Sequence, residues 1–493
     1  MLTTLIISGC SMCYELIISA VSSYLLGNST LQYSITIGLY MAALGFGSYI
    51  SKYFKKNLFP VFVTIELSIG IVGGVSSLLL FLSNIYISNY AVVMYMEILL
   101  IGTLAGAEIP IMTRIIEADE QNLSVTLSSI FSFDYIGGLL GSIAFPLLLL
   151  PKFGFFATSF LCGLLNILAA ALILWRFGER VTHIRIYRIL AGFLSVCMLA
   201  GMIFADNISE SIEGGLYRDH IIYMEQTQYQ KIVVTKHRDD VRLYIDGNCQ
   251  FSTADEYRYH EALVHIPMSE LTARSDVLIL GGGDGLALRE VLKYDDVKKI
   301  DLVDLDAEMI RICSTNANIT SINQGSLQSD KLTVYNEDAY EYLERAEKQY
   351  DLIIVDLPDP NCESLNKLYS NVFYRMCGNC LKDTGVMVVQ STSPYYATKA
   401  FWCINQTIES EGFYVKPYHL QVPAFGDWGF NMAAKRELTE ELSFDVETRY
   451  LTKENAPALF CFGKDEMAQE VEVNRLTKPV LMEYYNRAVE LWN

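Results

Sequence analysis

Hydrophobic and polar residues follow two different patterns along the 493-residue chain, one on each side of residue 206. In the first part, long apolar runs are separated by short polar stretches, and each run has about the 20 residues that a bilayer-crossing helix needs. The runs predict about seven spans, near 3–26, 33–51, 59–82, 90–112, 127–150, 154–175 and 186–205. The first prediction is therefore a multi-pass α-helical membrane domain over residues 1–206.

Beyond residue 206 the apolar runs become short. QKIVVTK and VRLYIDG have the length and composition of β-strands, and they are followed by VLILGGG, IDLVDLD, KLTVYNED, YDLIIVDLP and GVMVVQS. Helical stretches separate these later strands from one another. Such an alternation predicts an α/β domain that is built on a parallel, doubly wound sheet.

Charge divides the chain at the same place. Residues 1–206 contain 10 acidic and 9 basic residues, so 46 of the 56 acidic and 28 of the 37 basic residues follow, and the whole chain has a net charge of −19. The second part is therefore strongly acidic. This charge argues against nucleic acid as a partner and favours small cationic molecules.

A glycine-rich turn is the most informative motif. VLILGGGDGLALREVL (277–292), followed by DLVDLD (301–306), predicts a strand, a glycine turn that contains Gly281 and Gly283, a helix, and a second strand that ends in acidic residues. A doubly wound sheet holds an adenosine ribose in this way. Asp284 in the turn would repel a pyrophosphate, so a sulfonium nucleoside with a free amine fits better than a dinucleotide.

Four aspartates fall at predicted strand ends, where an open parallel sheet has its ligand crevice. They are Asp284, Asp304, Asp338 and Asp356. Asp304 is placed to accept hydrogen bonds from ribose hydroxyls, and Asp338, which precedes Ala339, to accept one from the adenine amino group. For any single one of these aspartates, a helix N-cap is an equally good interpretation.

The segment YDLIIVDLPDP places Asp356 and Asp359 on either side of a tight turn after a buried strand. Two carboxylates three residues apart can hold one ammonium group and remove its proton. A reaction between a primary amine and an alkyl sulfonium requires this step, because an amine with a pKa of about 10.4 is protonated at neutral pH. The alternative interpretation is an Asp-Pro turn with a helix cap.

These motifs occur in one order together with LYIDGNCQFSTADEYRYHEALVHIP (243–267). Over about 220–435 the chain resembles the spermidine synthase family of polyamine aminopropyltransferases, and its apolar front half resembles the membrane-anchored bacterial branch. The resemblance implies a small β-stranded subdomain over 217–250 and a Rossmann-like, methyltransferase-type catalytic domain over 251–493. It also implies transfer of the aminopropyl group of decarboxylated S-adenosylmethionine to putrescine, which gives spermidine and methylthioadenosine.

The resemblance implies roles for individual residues. Asp284 binds the aminopropyl amine, Asp304 and Asp338 read ribose and adenine, and Asp356 deprotonates the acceptor amine. The remaining nucleoside-binding positions are Gln230, His260, Gly281, Gly283 and Ala339, and those along the acceptor channel are Tyr259, Asp359 and Gln390. Decarboxylated S-adenosylmethionine is then a co-substrate, no prosthetic group is implied, and the protein is expected to be a homodimer.

Two departures from the family pattern concern the acceptor. Asn361, Cys362 and Glu363 stand where soluble members have Gly-Pro-Ala, and Phe425 stands where many members offer a tyrosine hydroxyl. The identity of the acceptor amine is therefore open. Glu363 is either a further carboxylate for the amine or a solvated surface residue.

Two other functions remain as alternatives. One is an S-adenosylmethionine-dependent methyltransferase, although Asp284 would repel the methionine carboxylate. The other is a polyamine transporter or sensor whose second half binds without catalysis. No metal site is predicted, because Cys377 and Cys380 lack further ligands at suitable spacing and the histidines, including His419, are isolated in the sequence.

The predicted spans contain five acidic residues, namely Glu15, Glu66, Glu97, Glu108 and Asp134. Ionisable groups in a membrane tend to face a bundle interior or a cavity. They predict either a polyamine pathway or structural pairs with Arg114, tyrosine hydroxyls and the backbone. The run GGLLGS (137–142) predicts close helix packing.

Two clusters of basic residues bear on the side of the membrane. Lys52, Lys55 and Lys56 form the first, and the second consists of Arg176, Arg180, Arg185 and Arg188. The positive-inside rule places both loops and the amino terminus in the cytoplasm, and seven crossings would then leave the acidic half outside. The sulfonium substrates are made in the cytosol. We therefore expect a multi-pass protein of the cell membrane with a cytosolic catalytic half. This placement conflicts with the count of seven crossings.

Overall fold

A computed structural model describes residues 2–26, 29–87, 89–117, 123–217, 219–439 and 442–492. The chain forms two compact units, Met1–Arg218 and Asp219–Asn493. The first unit is helical and the second is an α/β structure with two sheets.

The helices of the first unit follow the apolar runs of the sequence. They are α1 (Leu2–Leu26), α2 (Ser29–Ser51), α3 (Leu58–Gly74), α4 (Ser76–Tyr86), α5 (Tyr90–Glu117), α6 (Leu123–Ala144), α7 (Leu150–Arg176), α8 (Ile184–Ile203) and α9 (Ala205–Leu216). The predicted close packing at GGLLGS is confirmed. Gly137 and Gly141 of α6 lie against Leu5 and Gly9 of α1, so closely that an added Cβ would clash with backbone carbonyl oxygens.

The number of candidate spans differs from the seven that the sequence predicts. Among the described residues, five helical segments are long and apolar enough to cross a membrane, and a sixth results if α3 and α4, bent by 46°, count together. The predicted spans 127–150 and 154–175 form one segment, Leu127–Arg176, because the π-helical turn Phe145–Leu149 continues α6 into α7. The backbone at Gly154 (φ 67°) is non-helical within it.

The second unit begins with a small antiparallel sheet. Its strands are β1 (His220–Gln226), β2 (Lys231–His237), β3 (Asp240–Ile245) and β4 (Asn248–Ser252), and they pair in sequence order. Ile232, Val234, Leu243 and Phe251 form its buried face together with residues of the following helices. Strand β2 is buried on both faces over 232–235, whereas β1 at the edge of the sheet is exposed or half-buried along its length.

The large sheet has seven strands. They are β5 (Asp276–Gly281), β6 (Lys299–Val303), β7 (Leu332–Tyr335), β8 (Tyr350–Asp356), β9 (Leu381–Gln390), β10 (Tyr414–Val422) and β11 (Gly426–Ala434). Their order is β10-β11-β9-β8-β5-β6-β7, and only the pairs made by β11 are antiparallel. The predicted doubly wound α/β fold is confirmed for this unit.

Helices cover both faces of the large sheet. They are α10 (Glu256–Ser269), α11 (Leu286–Val291), α12 (Ala307–Thr315), α13 (Ala317–Asn323), α14 (Ala339–Arg345), α15 (Glu363–Asn366), α16 (Asn371–Cys380), α17 (Thr398–Glu409) and α18 (Val480–Trp492). The central strands β5 and β8 are buried on both faces, which explains their continuous apolar sequences. The strand order reverses between β5 and β8, so the crevice for a ligand opens at the carboxyl ends of these two strands.

Candidate active site

A cavity of about 380 Å³ lies at this reversal point. All the side chains and glycines that the sequence singled out line it. These are Gln230, Tyr259, His260, Gly281, Gly283, Asp284, Asp304, Asp338, Ala339, Asp356, Asp359 and Gln390. Residues that are spread over 160 positions of sequence therefore share one cavity, because the carboxyl ends of parallel strands meet at one edge of the sheet.

The glycine turn packs directly onto the end of β8. Gly281 has a φ of 83° and Gly282 donates its backbone N–H to the carbonyl oxygen of Asp356 at 3.1 Å. A side chain at Gly281 would clash with that carbonyl group, so this position needs glycine for both its conformation and its close approach. The contact holds the Asp284 turn beside Asp356.

Asp284 is half-buried and lines the cavity. Its Oδ1 accepts a hydrogen bond from the backbone N–H of Leu286 at 2.9 Å. Burial raises the pKa of Asp284, and the nearby His260 opposes this shift. The carboxylate therefore both caps the following turn and contributes negative charge to the cavity.

Two further aspartates lie towards β6 and β7. Asp304 accepts hydrogen bonds from the backbone N–H groups of Gly283 at 3.1 Å and Asp306 at 2.9 Å, and burial raises its pKa to about 6. Asp338 accepts one from the N–H of Tyr340 at 2.8 Å, so it is also the N-cap of α14. The two interpretations of Asp338, helix cap and cavity residue, are thus compatible.

Asp356 is the carboxylate at the centre of the cavity. The hydroxyl of Tyr259 donates to its Oδ1 at 2.6 Å. Burial and the charge of Asp284 raise the pKa of Asp356 to about 6, while His260 and the Tyr259 hydroxyl act in the opposite direction. A carboxylate with this pKa is ionised at neutral pH and is a stronger base than an ordinary aspartate.

His260 is held from the side away from the cavity. Its Nδ1 lies 2.8 Å from the carbonyl oxygen and 3.0 Å from the carboxylate of Glu256, and Arg289 binds both carboxylate oxygens of Glu256 at 2.9 Å. Burial acts against a charged imidazole, but Glu256 and Asp284 outweigh it and raise the pKa of His260. The ring is therefore fixed in orientation and favours the charged form.

Asp359 lies on the other side of Asp356, after the tight turn. Its carboxylate accepts hydrogen bonds from Tyr485 at 2.9 Å, Gln390 at 3.4 Å and Thr392 at 3.5 Å. Burial raises the pKa of Asp359 to about 6, and these three donors oppose the shift. The group is a second half-buried carboxylate, and protein donors orient it before any ligand arrives.

Two residues in this cavity were missed by reasoning from the sequence. Tyr485 belongs to α18 and reaches Asp359 across 126 positions of sequence. Lys367 donates to Asp338 Oδ2 at 2.5 Å, in the segment where the chain departs from the family pattern. No local motif marks either residue, because each contact depends on how distant elements pack. The side chain of Glu363 lies outside the described residues.

The other predicted features have simpler roles. Phe425 lines the cavity and its ring packs edge-on against Tyr259. Cys377 and Cys380 are buried core residues.

His419, predicted to be isolated, instead lies with Asp427 and Glu466 in the one group of possible metal ligands among the described residues. Both its ring nitrogens already have hydrogen-bond partners, namely Asp427 at 2.8 Å and the Cys461 carbonyl at 2.9 Å.

A doubly wound sheet with five buried or half-buried carboxylates around one crevice defines a nucleoside-type site for cationic ligands. Comparisons with known proteins agree with this class. The model of the spermine/spermidine synthase domain matches residues 256–445. The polyamine aminopropyltransferase of Oceanobacillus iheyensis is 41% identical over 98% of this chain and 96% of its own length. That of Leptospira interrogans is 40% identical over 100% of this chain and 98% of its own.

The chain therefore belongs to the polyamine aminopropyltransferase family, and the protein is a transferase. Among solved structures, it is similar to spermidine synthase from Thermotoga maritima, with 28% identity, a TM-score of 0.46, and coverage of 50% of this chain and 85% of that one. A spermidine synthase in complex with the transition state analogue AdoDATO gives 28% identity, a TM-score of 0.47, and coverage of 50% and 86%.

Proposed function

We propose that the protein transfers the aminopropyl group of decarboxylated S-adenosylmethionine to putrescine, which gives spermidine and methylthioadenosine. The observation that carries this proposal is the set of three half-buried carboxylates, Asp284, Asp356 and Asp359, around one cavity. Both substrates are cations, and each has a primary ammonium group. A methyl donor with a carboxylate beside Asp284 would meet repulsion at the same place.

The donor nucleoside occupies the side of the cavity that the glycine turn forms. Asp284 binds the primary ammonium of the aminopropyl group, Asp304 accepts from the ribose hydroxyls, and Asp338 accepts from the adenine amino group. The nucleoside also contacts Gln230, His260, Gly281, Gly283 and Ala339, which line the same region. Decarboxylated S-adenosylmethionine serves as a co-substrate in this scheme.

Asp356 is the base. It takes one proton from the putrescine ammonium that faces it, and Tyr259 holds its carboxylate in place. The freed nitrogen lone pair attacks the aminopropyl carbon next to sulfur, the C–S bond breaks, and its electron pair stays on the sulfur of methylthioadenosine. The new secondary amine keeps its charge as an ammonium, which the surrounding carboxylates stabilise. Positioning supplies most of the acceleration, because the sulfonium is already a good leaving group.

Asp359 and Gln390 bind the acceptor, together with Tyr259. Tyr485 fixes the orientation of Asp359, and the Phe425 ring provides an apolar wall for the methylene chain. Phe425 lacks a hydroxyl group, so the distal ammonium of the acceptor depends on Asp359 in particular. The acceptor end therefore suits a short diamine with one ammonium at Asp356 and one at Asp359.

The test is to incubate the purified full-length protein with decarboxylated S-adenosylmethionine and each of several diamines and polyamines. Mass spectrometry then follows methylthioadenosine and the amine product. Formation of spermidine from putrescine, at a higher rate than the product from any other amine, supports the proposal. A longer amine as the best acceptor would show that the assignment of putrescine is wrong, and absence of methylthioadenosine with every amine would favour the transporter or sensor.

We also propose that the first unit lies in the cell membrane and that the catalytic unit faces the cytosol. Large apolar side chains on α8 support the membrane placement, because Ile189, Phe193 and Val196 are 64–73% exposed. A cytosolic amino terminus and catalytic unit require an even number of crossings. Reporters fused to the two ends of the chain test on which side of the membrane each end lies. Light scattering of the solubilised protein tests the expected homodimer, which stays a prediction.

A further inference from the structure

The first unit contains a second cluster of buried carboxyl groups, far in sequence from the catalytic residues. Glu66 of α3 and Glu108 of α5 are both buried, and their carboxyl groups are close enough to interact with each other. Asp134 of α6 is close enough for its charge to act on Glu108. Three helices therefore direct acidic side chains to one place in the interior of the bundle.

Neutral polar groups complete this cluster and leave it short of hydrogen-bond donors. Asn166 of α7 donates its Nδ2 to Glu66 at 3.3 Å, but its own Oδ1 has no partner among the described residues. One oxygen of Glu66 and one of Glu108 are also without partners there, and so is the hydroxyl of the fully buried Tyr14, which can donate as well as accept. Buried polar atoms normally have partners, so this excess of acceptors points to a ligand that donates hydrogen bonds.

The nearest basic residue on the same helix does not fill this role. Arg114 of α5 donates to the backbone carbonyl oxygens of Pro110, Phe54 and Ser51 at 2.9–3.0 Å. The structural pairing with Arg114 that the sequence allowed is therefore not formed. A proton shared by Glu66 and Glu108 would supply one hydrogen bond, and Oδ1 of Asn166 would still be without a donor among the described residues.

The arrangement suits an ammonium group better than a metal ion. Within the described residues, the first unit has no set of three carboxylate, thiolate or imidazole ligand atoms within 4.8 Å of one another, so the cluster does not offer one ion three such ligands. An ammonium group has three donors and reaches acceptors in different directions.

We propose that Glu66, Glu108 and Asn166 form a second amine-binding site, in the first unit, for a protonated aliphatic amine of the class that the transferase uses or produces. The apolar side chains of the bundle interior surround the methylene chain, and the two glutamates and Asn166 bind the ammonium group. This site would let the protein bind a polyamine away from its catalytic cavity. The proposal does not depend on putrescine as the acceptor.

Equilibrium dialysis of the full-length protein with radiolabelled spermidine at neutral pH tests the proposal by counting ligands per chain. The wild type and the Glu66→Gln/Glu108→Gln variant are compared, and Glu179→Gln, which removes an exposed glutamate of the same unit, is the control. We expect the double variant to bind one equivalent fewer per chain than the wild type and the control. Equal stoichiometry in all three proteins would mean that the cluster holds protons only, and it would overturn the proposal.

A measurement on the wild-type protein covers the case in which the double variant does not fold. Dicyclohexylcarbodiimide modifies buried carboxyl groups, and peptide mapping by mass spectrometry locates the labelled residues. Spermidine at saturating concentration is expected to reduce labelling of Glu66 and Glu108 at least tenfold while the labelling of Glu97, elsewhere on α5, changes less. Labelling of Glu66 and Glu108 that spermidine does not reduce would contradict the site.

Discussion

The catalytic cavity is built around half-buried carboxyl groups and the acidic cluster of the first unit around buried ones, and the two sets differ in the hydrogen-bond donors that they have. In the cavity, Asp304 has two backbone donors, Asp356 has the Tyr259 hydroxyl, and Asp359 has three side-chain donors. In the first unit, Glu66 and Glu108 each keep an oxygen without a partner among the described residues.

This difference in hydrogen-bond donors indicates a different function for each region. Donors that are already in place fix the direction of a carboxylate, so the cavity is organised for a reaction before its substrates bind. Buried acceptors without donors gain their partners only when a proton or a cation arrives. The first arrangement suits catalysis, and the second suits reversible binding.

The largest effect is expected from removal of the proposed base. Asp356→Asn keeps the size of the side chain and can still accept the Tyr259 hydrogen bond, but it takes no proton, so kcat should fall at least about 100-fold. The raised pKa of Asp356 means that folding disfavours its ionised form, so neutral asparagine should not lower the melting temperature. Steady-state kinetics and thermal unfolding measure the two quantities. Undiminished turnover would remove Asp356 from the mechanism.

The pH dependence of kcat/KM is the next effect in size. Burial raises the pKa values of Asp356 and Asp359 to about 6, so both carboxylates are lost as the pH falls through that value. Because the base must be ionised, kcat/KM should fall about tenfold or more per pH unit below 6. A profile of kcat/KM that stays flat down to pH 4 would show that neither raised pKa controls the reaction. Asp356 would then act with the lower pKa of an ordinary aspartate.

A donor to Asp359 can be removed without touching the base. Tyr485→Phe deletes the hydroxyl that lies 2.9 Å from the carboxylate, and a hydrogen bond to a charged group contributes about 1.5–3 kcal/mol. We expect the KM for the acceptor to rise about tenfold while kcat changes little. Tyr484→Phe, which alters the neighbouring residue of α18, is the matched control and should leave both parameters unchanged. Equal effects of the two substitutions would contradict the role of Tyr485.

The smallest effect concerns Lys367 and the donor. The Lys367 ammonium shares Asp338 with the adenine amino group in the proposed complex, and a half-exposed ion pair contributes about 1 kcal/mol or less. Lys367→Met should therefore lower the KM for decarboxylated S-adenosylmethionine about two- to threefold, whereas Asp338→Asn should raise it. If Lys367→Met instead raises this KM, the lysine helps to orient Asp338 and does not compete for it.

Much of the catalytic unit was predictable because its information is local. A strand followed by GGGDG implies a turn that only glycine can adopt, as at Gly281, and aspartates that follow apolar strands must meet at one edge of a parallel sheet. All twelve predicted site residues line the cavity for this reason, although their individual roles remain proposals. The family was also recognisable, because several motifs occur in one order.

Other features were not predictable because they depend on contacts between distant elements. The π-helical turn that joins α6 to α7 and the bend between α3 and α4 are two such features. His419 seemed isolated until the antiparallel pairing of β10 and β11 brought it to Asp427. Hydropathy and spacing carry no signal for these arrangements.

By itself, the sequence determined the division into an apolar helical part and an acidic α/β part, and it determined which aspartates line one cavity of the second part. Periodicity and motif order are properties of neighbouring residues, so they are visible without a structure. Only the tertiary structure decided that Tyr485 reaches Asp359, that Lys367 reaches Asp338, and that Glu66 meets Glu108 while Arg114 turns away. These contacts follow from helix and strand packing, which brings together residues that no local pattern connects.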